Sequence, residues 1–330
     1  MKDWEQALSG ARVVVTGGAG FVGSWVSERL LDAGAQVWIV DNMLTGSPDK
    51  IEHLFHRPGF AVSIADVGHS IPDPGGVDLV MHLACPASPV HYQRLPLETL
   101  RVASDGTVNA LELAARHNAR FVLTSTSEVY GEPEMHPQHE EYWGHVNPIG
   151  VRSVYDEGKR FAEATTMAYA RERGVDVGVA RLFNTYGPRM SLDDGRVVPA
   201  FIGQALSGSP LTVAGDGSQT RSLCWVEDTV EGLLRLACGD ASGPVNIGND
   251  HEITMLELAH MVIELTGSSS SIHHVALPAD DPHVRRPDLT RARLLLGWEP
   301  TMSLEEGLKR TARWVEETRS ARATDAERPR

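Results

Sequence analysis

The chain has 330 residues, enough for one large domain or two smaller ones with sizeable cores. Hydrophobic residues make up 42% and charged residues 22%, ordinary values for a globular protein, while 44 acidic against 30 basic residues leave a net charge of −14. That balance excludes nucleic acid as the expected main partner, which demands a basic face, but not a local arginine cluster holding a small anion.

In chain order, apolar runs over 12–16, 36–40, 60–64, 77–83 and 121–126 predict buried strands. Helices are expected between them over 21–33, briefly near 49–54, and over 95–117. A helix over 153–173 then leads into a strand over 176–182. This alternation predicts an α/β protein: a Rossmann-type, doubly wound parallel sheet covered by helices on both faces. The second half is more broken, with helices over 197–207, 227–237, 255–266, 291–296 and 304–318 and short strands over 211–214, 222–226, 245–247 and 273–275. We read residues 1–184 as a dinucleotide domain and 185–330 as a smaller, interleaved substrate domain, with 223–250 returning to the main sheet. The tail from Ser320 has little to bury and is expected to be mobile.

No apolar run approaches the length of a membrane span, and the first strand starts too early to leave room for a signal peptide. Cys85, Cys224 and Cys238 are an odd, widely spaced set, expected to be reduced thiols of a cytoplasmic protein. Histidines three apart, His53/His56 and His136/His139, lack a third ligand at convincing spacing, so no metal is expected.

Thr16-Gly-Gly-Ala-Gly-Phe-Val-Gly23 joins the first strand to the first helix. Gly17 permits a tight turn, Gly20 a close approach to a pyrophosphate, and Gly23 helix-on-strand packing, while the N–H groups near Phe21 and Val22 face the phosphates. Asp41, 18 residues past Gly23 at the second strand's end, is placed to bind a ribose hydroxyl and favours NAD over NADP. Asn42 follows it. Asp66 and Val67 either border the adenine or simply end a strand, and Leu83 and Ala84, where the fourth strand ends, are also expected at the cofactor.

Thr124-Ser-Thr-Ser-Glu-Val-Tyr-Gly131 ends the fifth strand, where parallel sheets present side chains to a ligand. Downstream, Tyr155 and Lys159 lie four apart on one helical face. The ammonium is expected to favour the phenolate, making Tyr155 a usable base for oxidising a hydroxyl carbon beside a nicotinamide. Thr126 would hydrogen-bond the reacting hydroxyl, with Ser127 and Glu128 beside it.

These stretches resemble the extended short-chain dehydrogenase/reductases that act on nucleotide sugars, and among them the UDP-glucuronate decarboxylase (UDP-xylose synthase) family. The likeness also rests on His82-Leu-Ala-Cys-Pro-Ala-Ser-Pro-Val-His-Tyr92, Tyr142-Trp-Gly-His-Val-Asn-Pro-Ile-Gly-Val-Arg152 and Arg181-Leu-Phe-Asn-Thr-Tyr-Gly-Pro-Arg189. Asp194-Gly-Arg-Val-Val198, Gly215-Asp-Gly-Ser-Gln-Thr-Arg-Ser222 and Pro278-Ala-Asp-Asp-Pro282 extend it. The resemblance implies Tyr155 as base, supported by Lys159, with Thr126, Ser127 and Glu128 lining the sugar. It implies Arg221 at the sugar carboxylate or diphosphate, Asn184 and Arg285 at the diphosphate, Arg189 at the substrate, and Pro86, Ser88 and Tyr92 on its border. It further implies recycled NAD, a UDP- or dTDP-glucuronate substrate and a homodimer pairing helices near 95–117 and 153–173.

Two positions depart from the family: Ala103 stands where relatives carry asparagine before Gly106-Thr107, and Leu223-Cys224-Trp225 replaces a more usual aromatic-polar-aromatic run. A 4-epimerase shares Tyr and Lys and stays open as an alternative. A 4,6-dehydratase is disfavoured because Ser127 stands where it carries the first residue of an Asp-Glu acid pair. A non-catalytic NAD sensor would not need Thr126, Tyr155 and Lys159 together.

Overall fold

The computed structural model describes residues 3–278 and 280–326. The chain opens with α1 (Asp3–Leu8), β1 (Arg12–Thr16), α2 (Phe21–Asp32), β2 (Gln36–Asp41), β3 (Phe60–Ile64) and β4 (Leu79–His82). Next come α3 (Pro89–Arg94), α4 (Pro96–Arg101), α5 (Thr107–His117), β5 (Arg120–Thr126), α6 (Ser153–Arg173), β6 (Val177–Leu182) and β7 (Thr185–Tyr186). Then follow α7 (Val197–Leu206), β8 (Leu211–Ala214), β9 (Thr220–Ser222), β10 (Cys224–Trp225), α8 (Val226–Cys238), β11 (Pro244–Ile247) and β12 (Glu252–Thr254). The last elements are α9 (Met255–Thr266), β13 (Ile272–Val275), α10 (Thr290–Leu296) and α11 (Leu304–Ala326).

Among the described residues, seven strands form one parallel sheet in the order β3-β2-β1-β4-β5-β6-β11. The expected doubly wound α/β class is what forms. The two-residue alternation of a strand sends Val13, Val15, Ile39 and Met81 into one apolar layer, which includes buried residues of α2 and α8. Val14, Val40, Val80 and Phe121 face the other layer, with Ala110 and Leu111 of α5 and Ala162 of α6. Sequence order reverses between β1 and β4, so a crevice opens above their carboxyl ends.

The later elements add a smaller lobe, where β8 pairs with β13 and α7 lies against α9 and α11. The start and end of α9 are written locally: Thr254 and Glu257 form a capping box, and Gly267 takes the left-handed C-cap at φ 61. α8 and β11 pack with the main sheet, β11 beside β6.

Three expectations are revised. The helix over 95–117 is two helices joined by a widened π-type turn at Val102–Gly106. The strand over 222–226 is two pieces divided at Leu223, because β9 pairs antiparallel with β12 while β10 pairs with β7. The tail after Ser320 continues α11 to Ala326, since neither Pro nor Gly interrupts it; residues 327–330 lie outside the described residues.

Candidate active site

A cavity of about 550 Å³ lies above the switch point, between the sheet and α7 with the segments carrying Arg221 and Asp281. One end is the glycine turn. Gly17 sits at φ 70, and a Cβ there would stand 2.7 Å from the Ala84 backbone; a Cβ on Gly23 would overlap the Gly17 carbonyl oxygen. Side chains are thus barred where the turn closes on the strand and the helix. α2 starts with no side-chain cap among the described residues, leaving its first N–H groups, near Phe21 and Val22, for a phosphate.

Asp41 is buried at the end of β2, accepting the N–H groups of Ala19 (3.0 Å) and Met43 (2.8 Å). Burial raises its pKa, and the two backbone bonds and Lys50 oppose that rise. Its carboxylate retains lone pairs for a ribose hydroxyl. Asn42 donates to Asp66 at 3.2 Å, and Asp66, Val67, Leu83 and Ala84 line the same end with Gly17, Gly20 and Gly23. These residues fit a dinucleotide.

At the centre, Thr126 ends β5 and Tyr155 lies in the first turn of α6. Tyr155 and Thr126 line the cavity together, and the Thr126 side chain acts to lower the Tyr155 pKa. The Tyr155 ring stacks on Tyr92, with centroids 5.2 Å apart and planes 8° apart. Lys159 donates to the Thr124 carbonyl at 2.8 Å. The expected lowering of the phenol pKa by this ammonium is not what the structure gives. Burial pushes Tyr155 well up and the Cys85 thiol adds to the rise, outweighing the lowering by the Thr126 side chain and the Arg196 charge. Beneath, His82 meets Thr16 Oγ1 (2.8 Å) and Thr107 Oγ1 (3.4 Å), tying the glycine turn to α5. Burial, with the Lys159 charge, lowers its pKa to about 3, so the imidazole is neutral.

The other end is a chain of alternating charges. Glu128 accepts from Arg152 (2.8 Å) and Arg285 (3.3 Å), and Asp281 bridges Arg152 (3.4 Å) and Arg221 (2.8 Å). Burial alone would raise Glu128, but Arg285, Arg152 and Arg221 outweigh it and hold the carboxyl well below its usual range. Neighbouring Asp156 goes the other way, raised first by burial and then by the Glu128 charge.

Of the residues expected at the substrate, Pro86, Ser88, Tyr92, Asn184 and Arg221 line the cavity with Thr126, Glu128, Tyr155 and Lys159. Ser88 also caps α3, accepting from the His91 N–H at 3.3 Å. Three residues stand elsewhere. Arg285 is 2% exposed and engaged by Ser127 Oγ (3.1 Å), Glu128 and the Gly131 carbonyl (3.0 Å), so its expected diphosphate contact gives way to a role behind Glu128. Ser127 is correspondingly turned to Arg285 rather than to the sugar space. Arg189 lies over the Trp25 ring at 4.2 Å and pairs with Glu28, so its expected substrate contact becomes a packing contact with α2.

The structure adds Lys50, His91, Arg152, Asp194, Arg196 and Asp281 to the lining. His91, Arg152, Asp194, Arg196 and Asp281 stood inside the stretches that carried the family likeness, but no spacing tied them to the site. Lys50 had no sequence signal at all. Among the described residues, no helix is long and apolar enough to cross a membrane, and no cluster of three or more His, Cys, Asp or Glu is arranged to hold a metal.

A glycine-turn dinucleotide site beside a Thr–Tyr–Lys centre is the arrangement of a sheet-based oxidoreductase site. Residues 13–248 match the NAD dependent epimerase/dehydratase family, and the chain belongs to it. It is 56% identical over 301 residues to UDP-glucuronic acid decarboxylase 2 of Arabidopsis thaliana, covering 91% of this chain and 67% of that one. It is 51% identical over 303 residues to UDP-glucuronic acid decarboxylase 5 of the same organism, covering 91% and 88%. Within its family, the chain therefore groups with the UDP-glucuronic acid decarboxylases. A solved UDP-glucuronic acid 4-epimerase from Bacillus cereus, in complex with UDP-glucuronic acid and NAD, superposes with a TM-score of 0.85 at 25% identity, covering 93% of this chain and 99% of that one.

Proposed function

We propose that the protein decarboxylates a nucleotide-linked glucuronic acid to the nucleotide-linked xylose through oxidation, loss of carbon dioxide and re-reduction at C4. The observation that carries this reading is the 56% identity to a UDP-glucuronic acid decarboxylase across 91% of the chain. The glycine turn and Asp41 would hold NAD, which would supply the hydride acceptor for C4 and the donor that later restores it.

Tyr155 takes the proton of the 4-hydroxyl, with Thr126 holding the same oxygen. As a buried phenol it must first ionise, and Lys159, one turn along α6, is the cation placed to stabilise the phenolate. A ketone at C4 stands β to the C6 carboxylate, so the C5–C6 bond breaks with its electron pair passing into the ketone as an enolate while carbon dioxide leaves. Thr126 and the protonated Tyr155 then donate to the enolate oxygen. A proton added at C5, and return of the Tyr155 proton to O4, complete the exchange. Dehydration of a hexose would need a free acid after Thr126, but Ser127 faces Arg285 and Glu128 is tied to two arginines.

Asp41 supports NAD over NADP, and the relatives' names support a uridine nucleotide over thymidine. A homodimer is supported by the exposed apolar side chains of Leu97 and Phe161, on α4 and α6. A cytoplasmic setting accords with the free cysteines. Incubating the purified protein and NAD with UDP- and dTDP-glucuronate, with products identified by NMR, tests the reading. UDP-xylose is the expected product; recovery of both sugar acids unchanged would overturn it.

A further inference from the structure

The decarboxylase reading leaves open how the site recognises a carboxylate that its own chemistry then removes. Two cavity-lining arginines face one internal acid. Asp281 places one carboxylate oxygen 2.8 Å from Arg221 Nη2 and the other 3.4 Å from Arg152 Nη1. The guanidinium of Arg152 lies 6.0 Å from the ring of Tyr92, which in turn stacks on Tyr155, so this pair borders the reacting centre. Both arginines are buried, and the Arg152 Nε has no hydrogen-bond partner among the described residues. Asp281 is the member of the trio most open to solvent, with its side chain 23% exposed against 10% and 11% for the arginines. Its neighbour Asp280 holds a left-handed backbone at φ 58.

Resting on the decarboxylase reading, we propose that Asp281 is a place-holder for the substrate carboxylate. It occupies the Arg152–Arg221 pair before substrate enters, yields the pair to the sugar acid, and reclaims it once carbon dioxide has left. Charge balance motivates the exchange. The bonded cluster carries three guanidiniums, those of Arg152, Arg221 and Arg285, against the carboxylates of Glu128 and Asp281. Moving Asp281 into solvent leaves Glu128, with only the raised carboxyl of Asp156 beside it, for three buried cations, a state favoured when another anion arrives. A sugar carboxylate offers the same planar, two-oxygen acceptor to the same guanidiniums. After decarboxylation the sugar is uncharged at C5, so the arginines lack an anion again and Asp281 is the one within reach. Asp281 thereby acts as a specificity-determining residue: it sets a cost that only a ligand carrying a carboxylate at that position offsets.

The test compares binding of UDP-glucuronate, UDP-xylose and UDP to NAD-loaded protein by calorimetry, in a Tyr155→Phe background that preserves the bound acid. Asp281→Asn keeps the shape and removes the competing charge. It is expected to tighten UDP-glucuronate on the order of 10-fold while moving UDP-xylose and UDP by less than about 2-fold, the scale of one charged hydrogen bond. Equal tightening of all three would assign the displacement to the diphosphate and overturn the proposal, as would no tightening of the acid in a folded variant. Arg152→Lys gives an independent arm, with UDP-glucuronate weakened on the order of 10-fold and UDP-xylose held; equal weakening of both removes the arginine from carboxylate recognition. The two readings fail separately. Wild-type protein that makes no UDP-xylose defeats the decarboxylase assignment, whereas active protein whose variants do not discriminate acid from pentose defeats only the place-holder.

Discussion

The two ends of the cavity are built on opposite principles. At the cofactor end, recognition is steric and local: Gly17, Gly23 and Asp41 come from one β-α-β passage, and what matters is where a Cβ cannot be and which backbone N–H groups stay free. At the substrate end, recognition is electrostatic and assembled from afar. Glu128 follows β5, Arg152 precedes α6, Arg221 lies in β9, and Asp281 and Arg285 lie on one segment before α10. A steric cradle tolerates few substitutions and titrates little, whereas a charge network can exchange partners and responds to pH. The first suits a cofactor that stays, the second a substrate that must leave altered.

Tyr155 stands between the two ends, and its removal should have the largest effect. Tyr155→Phe keeps the stacking on Tyr92 but deletes the proton carrier, so kcat should fall about 10³-fold, within the range for loss of a general acid–base group. Retained NAD and UDP-xylose affinity should stay near wild type. Loss of NAD together with activity would show that the centre also holds the cofactor and would blur the division.

Next in size is Glu163→Gln, beneath the substrate end. Glu163 accepts from Arg181 through both carboxylate oxygens (2.9 and 2.7 Å) and from Ser125 Oγ (2.5 Å), and Arg181 goes on to Tyr130 Oη and the Glu140 carbonyl. Removing the charge of one partner leaves a largely enclosed guanidinium, its side chain 11% exposed, short of its counter-ion, which should cost about 3 kcal/mol in urea unfolding. A loss below about 1 kcal/mol would mean the network is wet and does not stiffen β5 behind Thr126.

Third is the pH response of Asp156. Its carboxyl is raised to about 7, first by burial and then by the Glu128 charge, and Oδ1 has no partner among the described residues. In the unfolded chain the same group ionises near pH 4. Between these values the folded state holds more protons, so this contribution to stability is full below about pH 4 and is lost as pH rises through about 7. Asp156→Asn cannot ionise. It should match wild type near pH 4 and exceed it by about 2 kcal/mol at pH 8, a discounted share of the linkage because Glu128 shares the field. A variant less stable than wild type at pH 8 would show that ionised Asp156 has a partner in the cluster.

This division also explains what could be read from the chain. Continuous apolar runs alternating with helical segments predicted the sheet, and the glycine spacing with Asp41 predicted a cofactor end whose residues all line the cavity. Thr126, Tyr155 and Lys159 were legible because one strand end and one helical turn suffice to orient them. Charge pairing carries no spacing rule. Arg285 and Arg189 were assigned to ligand by likeness, yet Glu128 and Glu28, distant in sequence, claim them. Arg152 and Asp281 lay in noted stretches without a role, because only the fold shows that they face each other. The break at Val102–Gly106 had no signal in hydrophobic period, since a π-type turn inserts one residue without exposing the buried face.

The smallest effect tests the cofactor end alone. Asp41→Asn keeps an acceptor toward the ribose but loses the charge, and its amide must now face the Ala19 and Met43 N–H groups that the carboxylate accepts. NAD retained after gel filtration, read by absorbance of the released nucleotide, should correspond to about 10-fold weaker binding, close to one charged hydrogen bond. NADP should gain no more than that factor, because the wall behind Asp41 is steric as well as electrostatic: a Cβ on Gly46 would stand only 2.9 Å from the carboxylate. UDP-xylose affinity should not move. If NADP became the preferred dinucleotide, the charge alone would be excluding the 2′-phosphate, and the contrast between a steric end and an electrostatic end would have to be redrawn at Asp41.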